Sequence, residues 1–368
     1  MTRVLVVCTD PGIPVGGTKG ASIHLGELAS ALTRQGAEVR IAAVRIAAAP
    51  DVAVARIPGP GRGADVGARL AAERVREDWL AELAAAWHAD VTYERLALHS
   101  AAGGRAARRA GIPHVVELNA PLPREAATYR HLERPREAVR LEHEMLARAD
   151  LVVPVSRPLA DYAGLRGARR IEVLPNGVDI TRFPVRDADP PPSVVFCGGL
   201  RPWHGVEVIA DAWRLLGSGA PPLLVVGDGP GRPVLEATGA DVVGEVPHGQ
   251  VPVLLARAGI GVAPYGPGAP DYFSPLKVFE YLAAGLAVVA AALPGVVDVI
   301  PAGAARLVPV GDPAALAAHV AELVAKPEAR RGLARRGRAG VAAAHTWDHR
   351  ARTLLDLVAT LPRPMVYA

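Results

Sequence analysis

The sequence predicts an α/β protein built from two parallel-sheet domains, and three observations lead there. Short, nearly unbroken Val, Ile and Leu runs alternate with longer amphipathic stretches, the pattern of parallel strands covered by helices on both faces. The pattern breaks once, near residues 175–192, and then restarts. The 368 residues leave room for two domains at about 100–200 residues each. With half the residues apolar and 21% charged, the chain lacks the composition of a disordered segment.

Taken in order, residues 4–7 form a strand and 21–35 a helix, because Ile23, Leu25, Leu28 and Leu32 recur at helical spacing and Gly36 is placed to end the run. Residues 38–44 complete a β-α-β opening. Further strands are expected at 91–93, 115–118, 151–153 and 171–174, with helices at 69–87, 100–110 and 136–149. The run Pro175-Asn176-Gly177-Val178-Asp179 signals a turn, and residues 183–192 hold four prolines and two aspartates, the composition of an exposed linker. Strands are then expected at 193–197, 223–226, 241–243, 260–264, 287–290 and 306–308, and helices at 206–216, 251–257 and 275–284. Residues 313–361 are mostly helical in pattern, and the stretch around Trp347 is expected to cross back. The reading is a Rossmann-like first domain at 1–180, joined by a C-terminal helix at about 346–368, and a Rossmann-like second domain at 193–345, facing each other over a central cleft.

Composition excludes several functions. The net charge is +4, but the basic residues are nearly all Arg interspersed with acids, which argues against a nucleic-acid surface. The mixture of Arg and Glu at 124–148 reads as a solvated helix face, so membrane contact is not indicated. Cys8 and Cys197 stand alone at the ends of apolar runs, so both are expected to be buried thiols with no zinc or redox role. The N-terminus reaches polar residues by Thr9 without a signal-peptide pattern, which predicts a cytoplasmic protein. The longest uncharged run, 281–297, is interrupted by Gly285, Pro294 and Gly295 and falls short of the ~20 residues of a membrane span.

Ligands of parallel sheets bind at the carboxyl ends of the strands, so the loops after strands carry the functional information. After the first strand come Gly16-Gly17 and then Lys19, at the start of a helix whose dipole favours an anion. The spacing is not Gly-x-Gly-x-x-Gly, and no acid ends the second strand, so a nicotinamide cofactor is disfavoured. In the second domain, Gly198-Gly199-Leu200-Arg201-Pro202-Trp203-His204 and Ser274-Pro275-Leu276-Lys277 each place backbone N–H groups and a basic side chain at a helix start, which suits a diphosphate. Glu280 follows one turn later, where it can accept hydrogen bonds from a ribose. Asp187-Ala188-Asp189 resembles a metal motif but precedes three prolines and reads as solvated linker; His345 and His349, at i, i+4 spacing without the Glu of His-Glu-x-x-His, read as surface residues. No metal is implied.

At these residues the sequence resembles the retaining, nucleotide-sugar-dependent glycosyltransferases of the GT-B fold, in the group called family 4. The likeness runs through Gly16-Gly17, residues 149–156, Leu174-Pro175-Asn176-Gly177-Val178-Asp179, residues 198–205 and 226–230, and Ser274 to Gly285. It implies that Glu280 binds the donor ribose and that Ser274, Pro275, Leu276 and Lys277 meet the diphosphate, with Gly16, Gly17 and Gly199 completing the donor site. Relatives commonly carry Arg and Lys where this chain has Gly199 and His204, so the expected charge carriers for catalysis are Arg201, His204 and Lys277. Lys19, His24, Glu117, Asn119, Asp271 and Tyr272 are the expected acceptor-side or sugar-side residues; Asn119 stands where relatives often have His, and Tyr272 where they often have a second Glu. The implied reaction is metal-independent transfer of a sugar from a nucleoside diphosphate sugar, UDP before GDP, to an unidentified acceptor hydroxyl. A nucleotide-sugar epimerase and a non-catalytic nucleotide-sugar-binding partner protein are the open alternatives.

Overall fold

The computed structural model describes residues 1–48, 51–185 and 192–362. The Asp187–Asp189 motif, most of the expected linker and the last six residues of the expected C-terminal helix lie outside them. The chain divides into two units: residues 1–175 with the segment from Trp347 onward, and residues 176–346.

The first unit holds β1 (Arg3–Cys8), β2 (Glu38–Ala43), β3 (Ala53–Arg56), β4 (Val91–Arg95), β5 (His114–Leu118) and β6 (Leu151–Pro154), in the order β3-β2-β1-β4-β5-β6. The second holds β7 (Val194–Cys197), β8 (Leu223–Val226), β9 (Asp241–Gly244), β10 (Ile260–Ala263), β11 (Ala287–Ala291) and β12 (Ala305–Val308), in the order β12-β11-β10-β7-β8-β9. Every pairing is parallel. Counted from its own first strand, each sheet has the same doubly wound order. The order reverses between β1 and β4 in one unit and between β7 and β10 in the other, where ligands of such sheets bind.

The central strands of the second unit, β7, β8, β10 and β11, carry no charged residues because both faces are covered. In β7, Val194 and Phe196 pack into one cluster with Val206, Ile209, Leu316 and Val320, while Val195 packs into the opposite cluster with Val278, Phe279 and Leu282. Strand β8, and β11 as far as Ala290, divide their residues between the same two clusters with the same period of two. In the first unit, helix Gly20–Arg34 buries Leu25, Leu28 and Leu32 and ends at Gly36, whose φ of +87° is the left-handed turn expected there. Helix Trp347–Ala359 packs on helix Gly20–Arg34, with Arg34 paired to Asp348 and the Trp347 ring edge-on to His24.

Three departures have physical reasons. Residues 171–174, expected as a strand, run beside β6 and donate to it from Glu172 and Leu174, but only Ile171 forms a bridge; Pro154 in β6 has no N–H with which to complete the ladder. The edge strand β3, Ala-Val-Ala-Arg, has too few β-formers to stand out in the sequence. His345 and His349 do not share a helix face, because one helix ends at Ala344 and the next begins at Trp347. His345 instead packs against Phe279, with ring centroids 5.7 Å apart. Cys8 is buried and Cys197 partly so, and burial pushes both thiols up to about 12.

Candidate active site

The two loops that leave the switch-point strands of the second unit meet each other. The loop after β7 brings Gly205, at φ +79°, so close to the loop after β10 that a Cβ there would lie 2.8 Å from the Tyr265 nitrogen; Gly266 N–H donates to the Trp203 carbonyl at 3.2 Å. The glycine run 227–231 has a similar cause. A Cβ on Gly227 would strike the Gly198 carbonyl and one on Gly229 the Leu200 carbonyl, so these glycines let one loop lie on another.

Lys277 is the central side chain. Its helix, Leu276–Ala283, starts behind Pro275 with no side-chain cap, so the first-turn N–H groups of Leu276 and Lys277 have no acceptor within the helix. The Lys277 ammonium lies 4.3 Å from the Phe196 ring centroid and 5.6 Å from that of Tyr265. It is buried and has no hydrogen-bond acceptor among the described residues. Burial pushes it down to about 8, against the opposing pull of Cys197 and Glu280. Gly198, at φ +144°, leaves the room it occupies: a Cβ there would lie 2.7 Å from Nζ.

His204 is uncharged in the free protein. Its Nδ1–H donates to the Gly199 carbonyl at 2.5 Å, while burial, then the Lys277 charge, and more weakly that of Arg201, push the ring down to about 3. The imidazole is therefore neutral at pH 7 in the free protein, where it anchors the loop. Arg201 is exposed on the same loop.

Glu280 sits one turn beyond Lys277. Its Oε1 accepts from His248 Nε2 at 2.6 Å, and His248 Nδ1 accepts from Arg182 at 2.9 Å. Ser274 is buried, and its hydroxyl and carbonyl oxygens accept from the backbone and side-chain N–H groups of Asn176. The sequence assigns no site role to Asn176, Arg182 or His248. Asn176 lies in the 175–179 turn, Arg182 just beyond it, and His248 in the loop after β9 at the carboxyl edge of the sheet, positions that could have marked them. Asp271 is exposed, and Tyr272 is buried edge-on to Phe273.

In the first unit the structure brings together His24 and Glu117 and adds Arg95, 3.5 Å from the same carboxylate. Burial alone would raise Glu117, but the attraction of His24 and Arg95, with hydrogen bonds from His24 and Asn119, holds it down at about 2. Glu117 is 1% exposed and His24 4%, so both support the sheet edge and direct acceptor contact does not fit them. Lys19 is exposed at the start of its helix. Gly16, at φ +73°, lies against the Ala48 backbone, where a Cβ would come within 2.6 Å of the carbonyl; close chain packing already requires glycine there.

Among the described residues no helix is long and apolar enough to cross a membrane. The family model for Glycosyltransferase Family 4 matches residues 18–182 and that for Glycosyl transferases group 1 matches residues 191–326. No curated protein matches the chain in sequence. Among solved structures, it is similar to sucrose-phosphate synthase from Thermosynechococcus elongatus (20% identity, 98% of each chain covered, TM-score 0.75). It is also similar to Anabaena HepE in complex with UDP (18% identity, 98% of this chain and 100% of that one, TM-score 0.74). A third similar structure is a glycosyltransferase from Rickettsia africae (14% identity, 97% of each chain, TM-score 0.71). With one family model on each doubly wound unit and this fold shared along nearly its whole length, the chain belongs to the GT-B glycosyltransferases of the family 4 and group 1 type.

Proposed function

We propose that the protein transfers a glycosyl group from a nucleoside diphosphate sugar, bound by the second unit, to an acceptor hydroxyl carried by the first, with retention and without a metal ion. The observation that carries this reading is the buried, unpartnered ammonium of Lys277. A desolvated charge with no acceptor is costly, and a diphosphate at the start of helix Leu276–Ala283 would supply the acceptor while meeting the first-turn amides and the helix dipole. Negative charge grows on the departing nucleoside diphosphate in the transition state, so fixed donors there lower the barrier. Lys277 and Arg201 are the charged donors, Gly198 and Gly199 line the approach, and His204 holds their loop. Glu280 takes the ribose hydroxyls. Gly16, Gly17, Lys19 and Asn119 are the first-unit residues assigned to substrate, with Asp271 and Tyr272 on the sugar side.

UDP is placed before GDP, a choice supported by the structural neighbour HepE, solved in complex with UDP and with UDP-glucose. Retention is carried over from the family resemblance. The test is incubation of the protein with UDP-sugars in EDTA, with the anomeric configuration of the released or transferred sugar read by NMR. Turnover in EDTA with the donor's configuration preserved is the expected result. Binding without any turnover would favour a non-catalytic nucleotide-sugar-binding role, and inversion would overturn the stereochemical assignment.

A further inference from the structure

We propose that His248 is a positioning residue: clamped by Arg182, it fixes the Glu280 carboxylate for recognition of a ribose diol. This rests on the reading of Glu280 as the ribose-binding carboxylate. The three side chains come from separate places in the second unit: Arg182 from the turn Ile180–Arg182, His248 from the turn His248–Gln250 after β9, and Glu280 from helix Leu276–Ala283. Their hydrogen bonds define one protonation pattern. A guanidinium only donates, so the 2.9 Å contact from Arg182 makes His248 Nδ1 an acceptor and places the ring proton on Nε2. That proton is donated to Glu280 Oε1 at 2.6 Å. The neutral imidazole thus lies between a cation and an anion and relays the attraction from one to the other.

The consequence is directional. A carboxylate on a helix has free rotation about its last torsion unless something holds it. His248 occupies Oε1, leaving Oε2 to accept from a ligand, and both side chains are largely buried, His248 at 19% and Glu280 at 13% exposure, so the hydrogen bond is little weakened by water. The anchor of the relay, Arg182, lies six residues beyond Asn176, whose own N–H groups hold Ser274. The segment 176–182 therefore braces both the expected ribose carboxylate and the loop that opens the diphosphate helix. A positioning role of this kind differs from general support of the fold because it acts on ribose hydroxyls and leaves base and phosphate contacts alone.

The experiment is calorimetric titration of wild type, Glu280→Ala, His248→Ala, His248→Gln and Arg182→Met with UDP and 2′-deoxy-UDP, and with GDP and 2′-deoxy-GDP. Hydrogen bonds to a charged group predict that wild type prefers the ribonucleotide by about tenfold or more. Glu280→Ala and His248→Ala should each reduce that ratio to near one. His248→Gln, which can accept from Arg182 and donate to Glu280, should restore it. If His248→Ala does not fold, Arg182→Met gives the same readout by releasing the clamp. A ratio that collapses in Glu280→Ala but survives in both His248→Ala and Arg182→Met overturns the positioning role and leaves the ribose assignment intact. A ratio unchanged in Glu280→Ala, or no nucleotide binding by wild type, overturns the reading of Glu280 itself.

Discussion

The two units share a strand order but treat charge at the carboxyl ends of their strands in opposite ways. In the first unit, Glu117 is buried with His24 and Arg95 against it, and the group is held ionised by partners from its own chain. In the second, the Lys277 ammonium is buried against the faces of Phe196 and Tyr265 with no hydrogen-bond partner among the described residues, and burial holds the neighbouring His204 ring neutral. A satisfied charge needs no ligand and contributes to the fold. An unsatisfied one carries a folding cost that a bound anion would remove. On the proposed reading, the same topology serves as scaffold at one site and as binding site at the other, and the distinction lies in the partners of one or two side chains.

The largest expected effect falls on the satisfied site. Glu117→Leu leaves the partly buried Arg95 and the buried His24 without their carboxylate and should destabilise the protein by about 3 kcal/mol or more, read as a lower denaturation midpoint at unchanged slope. The pH dependence follows the same sign. Because Glu117 is depressed to about 2 in the folded chain, its contribution is fully present above the unfolded value of about 4.3 and is lost as the pH falls through about 2. A Glu117→Leu protein as stable as wild type would erase the contrast between the units.

Lys277→Met should behave in the opposite way. Removing an unpartnered buried ammonium leaves stability unchanged or raised, while nucleoside diphosphate binding weakens by about 100-fold, the scale of lost charge-assisted hydrogen bonds. Equal losses of stability and binding would place Lys277 in the scaffold class with Glu117.

The third expectation sharpens the comparison through pH. Free Lys277 loses its proton above about 8, whereas a bound diphosphate favours the protonated form, so binding takes up a proton. Affinity should fall by about tenfold per pH unit above 8, and Lys277→Arg should flatten that slope because guanidinium stays charged. Calorimetry between pH 7 and 9.5 reads both. The smallest effect belongs to Arg201: because it is exposed, its charge is screened, and Arg201→Ala should lower turnover by about tenfold at most with stability unchanged within about 0.5 kcal/mol.

Much of the fold was legible because buried parallel strands announce themselves as apolar runs, as at β1, β7 and β11. What stayed hidden depended on contacts. The sequence of β3 is ordinary for an exposed edge, and the expected strand at 171–174 failed on a missing N–H in its neighbour. At the site, Lys277 and Glu280 were legible as polar residues at a helix start. The neutrality of His204 was not, because it arises from burial and from the charge of Lys277, 73 residues away in sequence. Nor was the clamp on Glu280, whose members meet only when the loop after β9, the 180–182 turn and the Leu276–Ala283 helix are brought together.

The chain has three lysines, Lys19, Lys277 and Lys326, and Lys19 and Lys326 are exposed. Carbon-13 labelling of the lysine side chains therefore allows each ammonium to be titrated by NMR in the intact protein, alone and with UDP. One lysine should titrate near 8 in the free protein, its signal lost from the spectrum of Lys277→Met, and its titration should rise by more than one unit when UDP is bound. A spectrum in which no lysine titrates near 8 and none responds to UDP would contradict this expectation.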